Sequence, residues 1–238
     1  MSLDISEVDL EKKCKKKKRV REMKKKELYK RWILFIVSLF VTGLGIAVTR
    51  HGDLGVSPIS SVANVVAMRF TVFSFGTWLF LWNCLMLAGQ ILLLRRDFRT
   101  IQLLQIPLSF LFGWFTDVGT AIAAVLPNQT YPARVGMVLL GTVILALGIT
   151  LGVTADVVLN SGEAMVKALS DTLKKPFGNV KVVFDISCVA ASVVLSLMFF
   201  GRIEGTREGT LIAAVCTGFV VKAFTKRLRG PLERLLRA

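Results

Sequence analysis

After residue 31, long apolar runs alternate with short polar segments along the chain. A transmembrane helix needs roughly 17–25 mostly apolar residues, which is longer than a strand or helix in a soluble core usually requires. The pattern therefore predicts an all-α, polytopic membrane protein with six transmembrane helices. The six runs cover residues 32–49, 75–94, 103–125, 135–153, 182–200 and 210–224. The last run is short and contains Gly218, so we expect it to tilt or to leave the membrane early.

A short helix is predicted after the first span of each half of the chain. Ser57 is a good N-cap, and Pro58 fits the first turn of a helix that continues through residues 59–69. Asn160 and Glu163 have the spacing of a capping box, and an amphipathic segment follows them. Each half therefore reads as span, short helix, span and span, with short helices apolar enough to lie in or on the membrane.

The two halves also resemble each other position by position. Identical or similar residues recur in the same order at an offset that drifts only between 102 and 105. Each half holds three spans, an odd number, so the second half enters the membrane from the opposite side. This predicts a 3+3 inverted-topology repeat, an architecture found among secondary transporters. The matched positions include Gly45 with Gly148, Asp53 with Asp156, Ser57 with Asn160, Gly76 with Gly178, Asn83 with Asp185, and Gly113 with Gly218.

The repeats set the predicted organisation of the chain. The first membrane repeat covers residues 32–129 and the second covers residues 130–226. A basic N-terminal extension, residues 1–31, precedes them, and a basic tail, residues 227–238, follows them.

Composition narrows the class of protein further. Hydrophobic residues make up 53% of the 238 residues, and the mean hydropathy is +0.61, which excludes an ordinary soluble enzyme and a disordered protein. Four cysteines and one histidine leave little room for a disulfide scaffold or a zinc site. We therefore predict no bound metal and no cofactor.

The distribution of positive charge predicts the topology. The chain carries 31 Lys and Arg against 16 Asp and Glu, a net charge of +15. With the N-terminus inside, 26 of those 31 basic residues fall in cytoplasmic segments. This bias supports six spans with both termini in the cytoplasm.

The densest basic cluster runs from Lys12 to Arg19, ahead of the first span. In a soluble protein such a cluster would suggest a nucleic-acid-binding arm. Because it lies next to a membrane span, a cytoplasmic anchor on anionic lipid headgroups is the favoured interpretation. The bilayer is therefore a predicted partner, and nucleic acid is not.

Four acidic residues lie in or at the ends of the predicted spans: Asp53, Asp117, Asp156 and Asp185. An ionised side chain inside a span costs about 2.5–3.5 kcal/mol on insertion scales, so each is a candidate functional residue. The structural alternative is a helix-end or interfacial position. For Asp185 that alternative includes pairing with Lys181, one helical turn away.

We predict a binding site between the two halves. The N-termini of the short helices, at Ser57 and near Asn160 and Glu163, would direct positive dipole ends at an anionic group. Asn83 would supply a neutral hydrogen bond. A carboxylate such as Asp156 or Asp185 would instead carry a proton or bind a cationic group, and the sequence leaves the sign of the substrate open.

Three short motifs stand out along the chain: residues 54–58, the pair Phe75 and Gly76, and Gly113 with Asp117 four residues later. Together they resemble the motifs of the YitT/YczE-like bacterial integral membrane proteins. The resemblance covers roughly residues 32–226. It implies a small multi-span protein of the bacterial inner membrane, and it supplies no catalytic or ligand residues. Lys222 stands where a simple repeat of Asp117 would place an acid.

The function predicted from these features is secondary transport or export of an unidentified small polar solute. The alternative is a membrane scaffold or regulatory partner of another complex, without transport. No motif of a serine hydrolase, zinc protease or nucleotide-binding loop occurs, so we do not expect an enzyme. Small inverted-repeat proteins often pair, so a homodimer is a further expectation.

Overall fold

The computed structural model describes the backbone of residues 5–237 and the side chains of residues 25–236. The side chains of the basic cluster at residues 12–19 therefore lie outside the described residues. Within the described range the fold is helical, without strands. Two short 3-10 segments, Arg95–Asp97 and Thr100–Leu104, connect α3 to α4. The α-helices are α1 (Ile5–His51), α2 (Pro58–Arg69), α3 (Phe75–Leu94), α4 (Gln105–Ala123), α5 (Tyr131–Ala155), α6 (Ser161–Leu173), α7 (Phe177–Phe200) and α8 (Glu208–Arg237).

Among the described residues, six of these helices are long and apolar enough to cross a membrane, which agrees with the predicted number of spans and indicates a multi-pass membrane protein. They are α1, from Lys25 onward, with α3, α4, α5, α7 and α8. The fifth span begins at Phe177, five residues before its predicted start at residue 182. Lys181 and Asp185 interrupt the apolar run there. They pair with each other one turn apart, which allows both to lie inside the helix.

The two short helices, α2 and α6, begin where the sequence predicts. At 12 and 13 residues they are too short to cross a bilayer. Asn160 caps α6, because its side chain accepts a hydrogen bond from the backbone of Ser161 at 2.9 Å. Ser57 occupies the N-cap position of α2, but its hydroxyl bonds to that of Ser60 at 2.7 Å and not to a backbone amide.

The centre of the bundle is a close crossing of α1 and α5. A Cβ on Gly45 would overlap the backbone of Leu145, and one on Gly148 would overlap Thr42. Small residues at these positions let the two backbones approach, as is common between membrane helices. The hydroxyls of Thr42 and Thr49 bond to carbonyls one turn earlier, so they add no unpaired polar groups to the apolar interior.

The other helices pack around this crossing in matching pairs. Helix α4 packs on α1, and α8 packs on α5. The short helices cross over to the other half, since α2 packs mainly on α7, and α6 mainly on α3. The two sets of four helices are therefore interlocked.

Contacts between helix ends define two faces of the bundle. Lys30 of α1 donates a hydrogen bond to the carbonyl of Leu235, near the end of α8, at 3.3 Å. Helix α1 therefore enters the bundle at the same face at which α8 ends, and we call this face the terminal face. Asn128 donates to the carbonyl of His51 at 2.9 Å, so α1 ends at the opposite face.

The same contacts orient α3 and α7. The guanidinium of Arg50, near the end of α1, lies 4.5 Å from the ring centre of Phe75, so α3 begins at the opposite face. The rings of Phe70 and Phe199 are 5.6 Å apart, so α7 ends at that face and begins at the terminal face.

The third and fourth helices of the two halves are arranged differently. Helices α3 and α4 touch backbone to backbone, since a Cβ on either Gly76 or Gly113 would overlap the carbonyl oxygen of the other. At the matched positions, Gly178 and Gly218, a Cβ would meet no other part of the described structure within 4 Å. Over their described residues, α7 and α8 form no interface comparable to that of α3 and α4.

Candidate functional site

A large cavity lies between the two halves of the bundle and has a volume of about 630 Å³. All eight α-helices contribute to its wall. Its volume falls in the range that holds small organic molecules in proteins. Five of the predicted site residues line it: Ser57, Asn83, Asn160, Glu163 and Asp185.

The first turns of α2 and α6 meet at this cavity. Residues Ser57 to Ser60 of one helix and Asn160, Gly162 and Glu163 of the other line it. A Cβ on Gly162 would lie 2.9 Å from a methyl carbon of Ile59, so the two helix starts are in direct contact. Two helix N-termini thus present their positive dipole ends to one space.

Asn83 contributes a buried amide group from α3. Its side chain is 3% exposed, and its Nδ2 has no hydrogen-bond partner among the described residues. A buried polar group without a partner costs about 1–3 kcal/mol, so it is uncommon in a folded protein unless something else satisfies it. Here the unsatisfied donor belongs to a residue that lines the cavity.

The ionisable side chains of the cavity cluster towards the terminal face. Lys181 donates to both carboxylate oxygens of Asp185, at 2.8 and 2.9 Å. The carboxyl group of Glu163, in α6, forms no hydrogen bond or ion pair with another residue of the described part of the chain. Burial raises the pKa of the Glu163 carboxyl; Lys181 acts to lower it, and Asp185 adds to the rise.

The rest of the wall is largely apolar. Ile46 of α1, Leu79 of α3, and Leu145 and Ile149 of α5 face the cavity. A molecule bound here would therefore meet polar groups at the two helix starts and hydrocarbon elsewhere.

Three predicted site residues lie outside this cavity. Asp53 follows α1 with a left-handed backbone (φ 55°) and pairs with Arg134 at 3.4 Å. Asp156 follows α5 in the same backbone conformation (φ 50°), with an exposed side chain.

Asp117 is the third of these residues, and it caps α3. It accepts hydrogen bonds from the hydroxyl of Ser74 at 2.5 Å and from the backbone of Gly76 at 2.8 Å. The carboxylate, which belongs to the neighbouring helix α4, therefore accepts hydrogen bonds from donors at the start of α3. No local sequence motif indicates this contact between distant residues.

A smaller pocket of about 290 Å³, which the sequence did not predict, lies at the opposite face. Arg50 lines it and donates to the side chain of Asn64 at 2.8 Å. Asn64 in turn donates to the carbonyl of Gly205 at 2.9 Å. Arg50 lies three positions before the predicted site residue Asp53, which lines the same pocket, and this proximity was the available signal. Its pairing with α2 required the fold.

The described residues hold no group of three or more His, Cys, Asp or Glu side chains arranged to bind a metal ion. Among the described residues, the ionisable groups of the cavity wall are the Lys181–Asp185 pair, Lys167, which pairs with Asp171, and the separate carboxyl group of Glu163.

Comparison with known proteins places the chain in a family. Residues 29–226 match a family described as being of unknown function, DUF6198. The chain belongs to the DUF6198 family. No curated protein and no solved structure matches it. Nothing in these comparisons links DUF6198 to the YitT/YczE proteins, so that resemblance stays an expectation.

The DUF6198 region includes every residue that lines the central cavity, and it excludes most of the basic N-terminal extension. The cavity is therefore built entirely within the part of the chain that defines the family.

Proposed function

We propose that this DUF6198 protein is a small secondary transporter of a polar solute, with the central cavity as its binding site. In this proposal it lies in the bacterial inner membrane with both termini, and hence the terminal face, in the cytoplasm. Transport needs no catalytic residue, metal or cofactor from the chain.

The proposal includes a 3+3 inverted repeat. The two short helices begin after equivalent N-caps, Ser57 and Asn160, with nearly equal backbone angles (φ −59° and −60°). Asp53 and Asp156 share a left-handed backbone at the same sequence offset. The interlocked packing of α2 on α7 and of α6 on α3 also supports a repeat in which each half mirrors the other.

The observation that carries the proposal is the unequal arrangement of the two halves. Near the opposite face, α3 and α4 are closed against each other at Gly76 and Gly113. Helices α7 and α8 are apart at Gly178 and Gly218, and both helices line the cavity. In this proposal the gap between α7 and α8 opens the site towards the terminal face while the α3–α4 contact closes it towards the opposite face, as alternating access between inverted halves requires.

The second state of the cycle follows from the repeat. If the two halves exchange arrangements, α7 and α8 close through Gly178 and Gly218 while α3 and α4 separate. The α1–α5 crossing would stay fixed, because its glycine contacts leave little room for movement. The cavity would then open towards the opposite face.

Cysteine accessibility tests this cycle. Asn160→Cys is placed in a background lacking Cys14, Cys84, Cys188 and Cys216, and is labelled with a membrane-impermeant thiol reagent. Right-side-out and inside-out vesicles expose the two faces in turn. We expect labelling from both faces, because the cavity opens to each in turn.

Exposed positions serve as controls for the two faces. Lys174→Cys, after α6, should label from the terminal face only, and Gln129→Cys, before α5, from the opposite face only. Labelling of Asn160→Cys from the terminal face alone would contradict alternating access and favour the non-transporting scaffold.

A further inference from the structure

We propose that the central cavity binds a small organic anion, a carboxylate with an apolar body. This inference rests on the proposed transport function and names its substrate class.

The first support is the set of free donors at the helix starts. The first-turn amides of a helix have no partner within the helix. In α6 the amides of Ser161 and Ala164 bond to Asn160, whereas no described side chain or loop carbonyl accepts from Gly162 or Glu163. The amide of Ile59 in α2 is likewise without such a partner. Each of these three residues lines the cavity.

The second support is independent of the helix starts. Asn83 comes from a different helix, is 3% exposed, and has no described partner for its Nδ2 donor. Asn83 lines the same cavity as the free amides, so its unpaired donor belongs to a residue of the same wall. A carboxylate accepts several hydrogen bonds at once, and bonds to a charged acceptor are stronger than bonds to a neutral one.

The charges around the site set a condition on binding. The ionisable residues lining the cavity are Glu163 and Lys167 from α6 and Lys181 and Asp185 from α7. Helices α1 to α5 and α8 contribute none to the wall. Lys167 pairs with Asp171 at 3.2 Å, and Lys181 pairs with Asp185. An ionised Glu163 would repel a second carboxylate, so we expect the anion to bind with Glu163 protonated.

The apolar wall sets the second part of the substrate class. Ile46, Leu79 and Leu145 surround the polar end, and the cavity is much larger than a single carboxylate. Burying hydrocarbon against this wall gains about 25 cal/mol per Å² of apolar surface. A carboxylate with an aliphatic or aromatic body therefore uses both parts of the site.

Probes that differ only in the charge of one group test whether the site prefers an anion. Binding of benzoate, benzamide and benzylamine to the purified full chain is measured by titration calorimetry at pH 5 and pH 8. The same is done with 4-methylvalerate and its amide and amine counterparts. We expect each carboxylate at pH 5 to bind at least about tenfold more tightly than its amide, or about 1.4 kcal/mol. We expect weaker carboxylate binding at pH 8.

Variants of Asn83 locate the binding. Asn83→Leu removes the donor at similar size, and Asn83→Asp replaces it with a like charge. Both should reduce carboxylate affinity at least about tenfold, and Asn83→Asp should favour the amine. Asn179→Asp is the matched control, because Asn179 is exposed on α7 outside the cavity. If one of the two Asn83 variants does not give a monodisperse peak in gel filtration, the affinity measured for the other variant decides the test.

The outcomes separate this inference from the transport proposal. Preference for the amines, or no binding of either carboxylate, would overturn the anion site even if Asn160→Cys labels from both faces. Carboxylate binding that Asn83 variants leave unchanged would also overturn it. Binding that depends on Asn83, with labelling from one face only, would support the site and contradict transport.

Discussion

Helices α3 and α4 are in close contact, whereas α7 and α8, at matched positions of the sequence, are apart. Both pairs carry a glycine on each helix, so the sequence permits close approach in either half. Only the first pair uses it: Gly76 meets Gly113, while Gly178 and Gly218 meet nothing within 4 Å. A glycine pair therefore makes close packing available, and the rest of the tertiary structure decides which pair closes.

The difference between the halves also extends to the polar groups beside the glycines. Asp117 on α4 bonds to Ser74 and Gly76 at the start of α3, and so holds the closed pair. The matched residue on α8 is Lys222, whose ammonium cannot accept hydrogen bonds from the start of α7. The closed half thus has a specific polar contact that the open half lacks.

The largest expected effect comes from filling the glycine contact. Gly76→Val should destabilise the described structure by about 1–3 kcal/mol, because the side chain overlaps the backbone of Gly113. Gly178→Val, the matched change, should shift stability by less than about 0.5 kcal/mol, since that position is open. Thermal unfolding in detergent measures both.

The same pair of variants separates stability from transport. Gly178→Val should prevent α7 and α8 from closing, so Asn160→Cys in this variant should lose labelling from the opposite face. Equal destabilisation by the two valines would mean that the two halves are not packed differently.

A smaller effect is expected at the polar contact. Asp117→Ala removes the acceptor for the start of α3 and should cost about 0.5–2 kcal/mol, the range for loss of a helix cap. Lys222→Ala should stay within about 0.5 kcal/mol, as for most substitutions away from such contacts. Denaturation of the two variants in the same detergent makes the comparison, and a larger cost for Lys222→Ala would contradict it.

The smallest effect concerns Glu163 in the cavity. Burial raises its pKa in the folded protein above the unfolded value, so its contribution to stability is present below the unfolded pKa and is lost as pH rises through the folded pKa. Glu163→Gln does not titrate. The difference in stability between Glu163→Gln and the wild type should therefore favour the variant more at pH 8 than at pH 4. Thermal unfolding of both proteins at the two pH values measures this difference. A stability difference that stays constant with pH would contradict the rise in pKa.

The sequence predicted the individual helices well. Six membrane-length helices, two short helices and the N-cap position of each short helix are present where the pattern of apolar and polar residues indicated. Five predicted site residues line one cavity, including Asn83 and Glu163. These features follow from local chemistry, because a span is defined by its own hydropathy and a cap by its neighbouring residues.

The roles of the acidic residues could not all be predicted from the local sequence. Asp185 pairs with Lys181 on its own helix, a contact that the sequence spacing allowed, whereas Asp117 caps α3 from the neighbouring helix α4. The role of Asp117 therefore depended on which helix packs beside it, and the sequence did not show that.

By itself, the sequence determined the number of membrane-length helices, the position of the two short helices and the residues at their starts. Only the tertiary structure decided that α2 packs on α7 and α6 on α3, that their N-termini meet, and that the Nδ2 of Asn83 has no partner among the described residues. It also decided which glycine pair is closed. The reason is physical: helices form from contacts within a few residues, whereas the cavity forms from contacts between residues about 100 positions apart in the chain, as with Ile59 and Gly162.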